Sequence, residues 1–95
     1  MNNKWKTDLN HFFSHTHMYV YPVNFDTAVN FITGYERALN HTDISTAFKI
    51  HISEKYQVKS SSDGWVGQLK RLSRELNEDS FKIFKIIGSE LTNNS

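Results

Sequence analysis

Between Phe25 and Leu39 the chain reads FDTAVNFITGYERAL, and four of its polar residues share one narrow strip. At 100° per residue, Asp26, Asn30, Thr33 and Arg37 fall within an arc of about 60°. A two-residue alternation does not generate that pattern, so the spacing predicts a helix, and the wide remainder needs cover on more than one side. Its core face is Phe25, Ala28, Val29, Ile32, Tyr35 and Leu39, with Thr27, Phe31, Gly34 and Ala38 forming a second face beside it. Asn24 is the expected N-cap. A helix of this kind is expected at the centre of a bundle. Gly34 stands at its middle, where glycine costs about 1 kcal/mol relative to alanine. The expected compensation is close approach of a neighbouring helix on the second face.

The remaining segments supply partners for that helix. Trp5, Leu9, Phe12 and Phe13 make one stripe of a short N-terminal helix, with Asn2 or Asn3 as its cap. "THMYVYP" then turns extended and ends at Pro22, which disfavours helix at Tyr21. Thr42 or Asp43 can cap the 44–58 segment, whose one face is Ile44, Ala47, Phe48, His51 and Ile52. In the same segment Phe48, Ile50 and Ile52 alternate with Lys49, His51 and Ser53, as they would in a strand. After the "KSSSDG" loop, Asp63 is placed to cap a helix carrying Trp65, Leu69, Leu72 and Leu76, with Gly64 and Gly67 in its first turn. The last helix has Phe84, Ile87 and Leu91 on one face and Glu78 and Asp79 at its start, where acids suit the dipole. The expected architecture is all-α: a single helical domain over 1–95 with four main helices and a short N-terminal one, packed around helix 25–39. Residues 1–3 and 92–95 are expected to fray. The alternative is an α+β arrangement with a short strand near 17–21, near 46–52, or both.

Several chemistries are set aside by composition. The 95 residues contain no cysteine, which excludes disulfides, thiolate nucleophiles and sulfur-ligated zinc. No apolar run reaches the ~20 residues of a membrane span and the N-terminus has no signal-peptide core, so no membrane is expected and the cytoplasm is the default location. Eleven basic and ten acidic residues give a formal charge of +1, without the single-sign field of a chain that tracks nucleic acid. With 38% hydrophobic and 14% aromatic residues, the core can form without a cofactor, and none is expected.

Three groups of residues have spacings that invite chemistry. His11, His15 and His17, with Asp8 one turn earlier, have helical spacing for a metal, but they also describe a solvated face opposite Trp5, Leu9 and Phe12. No metal site is assigned. His51 lies within an apolar face, with no serine or carboxylate spaced to complete a triad, and His41 sits at a helix end. No catalytic residue is assigned, and the chain is not expected to be an enzyme. Lys70, Arg71 and Arg74 form a basic face that would serve a small nucleic-acid-binding regulator; the long loop breaks a helix-turn-helix, and Glu75 and Glu78 interrupt the patch. Ile50 stands apart, because on a helix it lies outside the apolar face, between Asp43 and Glu54 in an arc of about 40°. An exposed branched residue between two acids suits a contact with a basic protein, so Asp43, Ile50, Glu54 and Tyr56 are the candidate partner-binding residues.

Taken together, "VNFITGYERAL", "AFKIHISEKYQVKSSSDGWVGQL" and "EDSFKIFKIIGSEL" resemble small bacterial immunity proteins of contact-dependent growth inhibition and other polymorphic toxin systems. The shared outline is a Gly-Tyr in a first long helix, an aromatic-led amphipathic helix, a Ser-rich loop closing on Gly-Trp, and a last helix with a Phe-rich stripe. Phe31, Gly34, Tyr35, Phe48, Gly64, Trp65, Phe81 and Phe84 carry it, over about residues 23 to 91. His51-Ile52 and Glu90-Leu91 depart from that outline, as does the slightly basic charge. The resemblance implies an immunity protein that binds a cognate toxin domain, such as a nuclease, and blocks its active site or substrate surface. No inhibitory residue carries over with it.

Overall fold

The computed structural model describes residues 4–93, and among them it contains five α-helices and no strand. They are α1 (Lys4–Ser14), α2 (Phe25–Leu39), α3 (Asp43–Tyr56), α4 (Gly64–Leu76) and α5 (Ser80–Asn93). The all-α expectation holds, and both strand alternatives give way: 16–18 is a single 3₁₀ turn, and 46–52 lies wholly inside α3. Helix wins in α3 because its three fully buried side chains, Ile44, Phe48 and Ile52, recur every four residues. α5 continues through Thr92 and Asn93, into the tail expected to fray. The proposed Asn2 and Asn3 caps lie outside the described residues.

How the helices begin and end follows from local hydrogen bonding. Asn24 caps α2 as expected: its side chain accepts from the Thr27 N–H, and the Thr27 hydroxyl oxygen accepts from the Asn24 N–H, a reciprocal capping box. The other two predicted caps are corrected. Thr42 occupies the N-cap position of α3 without a side-chain bond, and Asp43 is already helical. The free N–H of Ser45 in that first turn is instead satisfied from α2, by Glu36 Oε2 at 2.9 Å. Asp63 likewise makes no capping bond, because its carboxylate is taken by Arg71 and Ser61. At the other ends, α2, α3 and α4 each finish on a residue in the left-handed region, Asn40, Gln57 and Asn77. The N–H after each reaches back to a helical carbonyl, His41 to Glu36 and Glu78 to Ser73 over five residues and Val58 to Ile52 over six.

Where the core sits differs from the sequence expectation. The hub is α5, which packs against α1, α2, α3 and α4, whereas α2 makes its main contacts with α3 and α5. Phe84, fully buried in α5, meets one ring from every other helix: Phe13 at 4.9 Å, Phe25 at 5.7 Å, Phe48 at 5.4 Å and Trp65 at 5.8 Å between centroids. Aromatic contacts of this kind add to the area each ring buries. α2 is peripheral enough that Leu39, assigned to its core face, is 48% exposed, and Leu76 at the end of α4 is 50% exposed.

Gly34 is corrected for the same reason. It is exposed, and a Cβ built there meets nothing within 4 Å, so no helix approaches it. The close approach occurs at Gly88 of α5, where a Cβ would collide with the Phe13 ring of α1. Two polar residues that periodicity left aside are buried instead, Glu36 and Gln68. Gln68 Nε2 donates to the Val58 carbonyl at 2.9 Å and to that of Lys49 at 3.4 Å, tying the chain after α3 to α4.

Candidate functional site: the groove between α1, α3 and α5

Ala47, Ile50, His51 and Glu54 occupy positions i, i+3, i+4 and i+7 of α3, so a continuous α3 aligns them along one side. Trp5 and Lys6 of α1 and Glu90 and Leu91 of α5 close the other sides, giving an open groove of about 410 Å³. Ile50 is 51% exposed at this groove, while Trp5, Ala47 and Leu91 are half-buried in it. Trp5 also lines a second depression, together with Asp43, Tyr35 and His41. The two depressions therefore meet at the indole.

One end of the groove is a polar cluster organised by Glu90. His51 Nε2 lies 2.8 Å from Glu90 Oε1, Lys55 Nζ donates to Oε2 at 2.6 Å, and the Tyr56 hydroxyl is 3.0 Å from both oxygens. Burial opposes ionisation of Glu90, but the bonds from Lys55, His51 and Tyr56 outweigh it and hold the carboxyl below its ordinary 4.5. The same contacts act in reverse on the partners. The bond to Glu90 raises the Lys55 ammonium, and burial, then Glu90, raises the Tyr56 phenol. His51 thus pairs its Nε2 with a carboxylate, and the Tyr56 ring lies 6.1 Å from the imidazole.

Of the four partner-binding candidates, the fold brings Ile50 and Glu54 together in the groove. Asp43 stands in the neighbouring depression, its carboxylate 3.9 Å from His41 Nδ1. Tyr56 turns its hydroxyl inward to Glu90 and serves the cluster. Sequence reading gave Glu90 no role beyond a departure from the family outline: it meets His51 across 39 residues, and no local spacing announces that contact. Trp5 and Leu91 were assigned to core stripes. Each ends its stripe, Trp5 in the first turn of α1 and Leu91 in the last turn of α5, and stripe ends are where a bundle opens.

The other constellations lie away from the groove. The His11 and His15 rings stack at 4.5 Å, and the described residues contain no grouping of three metal-ligating side chains. Arg71 is held by Asp63 at 2.9 Å and by the Lys59 carbonyl at 3.0 Å, while Lys70 lies 6.0 Å from the centre of the Phe25 ring. Compared with protein-family models, curated proteins and solved structures, the chain matches none. No helix among the described residues is long and apolar enough to cross a membrane.

Proposed function

We propose that this chain is an immunity protein that binds a cognate bacterial toxin domain, a nuclease in the reading implied by the resemblance, and blocks its active site or substrate surface. Ile50 carries the reading: a branched apolar side chain, half in water, at an open groove that also holds a half-buried tryptophan and the acid Glu54. Apolar anchors at the centre of a patch with charges at its rim are how tight protein contacts are built. A standard interface needs about 800 Å² from each partner. That is a modest share of the 6058 Å² this molecule exposes. Inhibition of this kind asks no catalysis of the inhibitor, and His51, Lys55 and Glu90 at the groove are bonded to one another, which leaves Glu54 as its acid toward a partner. The cytoplasm, where such a toxin would act, is the location this reading implies.

The rival reading, nucleic-acid binding through Lys70, Arg71 and Arg74, has less support because Arg71 is committed to Asp63 and a backbone carbonyl. The test is co-expression with a candidate toxin domain taken from a neighbouring gene. Growth should be restored and a stoichiometric complex recovered. Ile50→Asp and Glu54→Lys should each abolish protection without lowering the melting temperature. Failure of the native protein to protect, or protection unchanged in both variants, refutes the assignment.

A further inference from the structure

A third concavity, of about 270 Å³, lies against α1 and α2, apart from the groove at Ile50. Its deepest residues are Leu9, Ile32 and Ile44, each no more than 2% exposed. Aromatic side chains complete the lining. Phe12 and Phe31 stack with centroids 4.6 Å apart, and Tyr19 sets its ring edge-on to Phe31 at 5.1 Å. Into this apolar surround the fold places one carboxylate, Asp8, fixed by the Tyr35 hydroxyl, which donates to Oδ2 at 2.6 Å. Lys4 Nζ lies 3.0 Å from the same oxygen, so the carboxylate already draws an ammonium group to this place. His11 Nδ1 and the Tyr19 hydroxyl, 2.5 Å apart, satisfy each other.

We propose that this pocket binds a small arylalkylamine, its ring among Phe12, Tyr19 and Phe31 and its ammonium on Asp8. A site of this kind is mostly apolar, with a few converging polar groups that orient the ligand. The volume suits one ring with a short chain. Aromatic faces attract a cation as well as burying a ring, and a charged hydrogen bond to a carboxylate selects amine over alcohol or acid. The carboxyl is poised for that role: hydrogen bonds from Tyr35 and then Lys4 hold it below its ordinary 3.8 against a smaller effect of burial. It is anionic at neutral pH. The assignment is independent of any macromolecular partner at Ile50.

The experiment is an amide-resolved NMR titration of the full chain at pH 7 with phenethylamine, 2-phenylethanol and phenylacetate. The amine should give saturable shifts clustered at residues 8–12, 31–35 and 44, with the carboxylate at least about tenfold weaker. Asp8→Asn should weaken amine binding by about tenfold. Lys4→Gln should strengthen it by about twofold, because a competing exposed ammonium is removed. Comparison of the three ligands needs no variant, so it decides the matter even if Asp8→Asn folds poorly. Absence of saturable shifts with the amine, equal binding of phenylacetate, or wild-type amine affinity in a folded Asp8→Asn protein overturns the proposal.

Discussion

Glu90 accepts from three side chains at once, and its removal leaves His51, Lys55 and Tyr56 without that partner. His51 and Tyr56 are half-buried, so the loss is not made good by water alone. Glu90→Ala should therefore cost about 1–3 kcal/mol in urea unfolding at neutral pH, with Glu90→Gln losing less because it keeps an acceptor. The pH dependence has a definite sign. Asp8 and Glu90 both have folded-state values below their ordinary 3.8 and 4.5. Their contribution is complete above those ordinary values and is lost as pH falls through the depressed ones, because the unfolded chain then takes up protons first. The urea midpoint should thus decline as pH drops below about 4.5, and the decline should be shallower in Glu90→Gln and Asp8→Asn. An identical acid profile in the wild type and both variants would show that these carboxylates are not the groups responsible.

At the scale of elements, the least expected contact is the capping of one helix by the interior of another. Glu36 supplies from α2 what Thr42 does not supply to α3, and the Ser45 hydroxyl links the same carboxylate to Trp65 Nε1 of α4, 3.0 Å away. Glu36→Ala should destabilise by about 1–3 kcal/mol, with hydrogen exchange rising first in the opening turn of α3. The two mid-helix glycines give a prediction of opposite signs. Gly34→Ala meets open space and should stabilise by about 0.5–1 kcal/mol, whereas Gly88→Ala must displace the Phe13 ring and should destabilise by about 1–3 kcal/mol. Thermal melts of the two variants moving in the same direction would contradict the packing. These residues also mark how far the sequence could be read. Periodicity located all five helices and most of the buried apolar positions, because a stripe is written within one element. It did not reveal which element is the hub, since α2 and α5 are both amphipathic, and only tertiary packing places Gly88 against α1 and leaves Gly34 in water. Half of the groove was legible: Ile50 and Glu54 follow from a helical wheel, but Glu90 and the position of Trp5 depend on contacts between distant segments.

For the molecule as a whole, the arrangement around Phe84 implies cooperative unfolding. With each of the other four helices contributing a ring to it, every helix loses a ring contact once Phe84 is gone. Phe84→Ala should cost about 3–5 kcal/mol. That is a large share of the 5–15 kcal/mol typical of a small domain. Helical circular dichroism and tryptophan fluorescence should lose signal together in its melt, as expected of two-state unfolding. Transitions that separate, with one helix pair surviving, would mean that the rings are neighbours without being a common support. Ile50 stands at the opposite extreme, 51% exposed and absent from the buried cluster, so Ile50→Asp should change stability by no more than about 0.5 kcal/mol. A molecule whose fold rests on internal rings and whose outer helix face can be altered at little cost is free to vary that face, as the proposed toxin contact would require. If Ile50→Asp lowered the melting temperature as Phe84→Ala does, Ile50 would belong to the core, and the groove would lose its claim to be a contact surface.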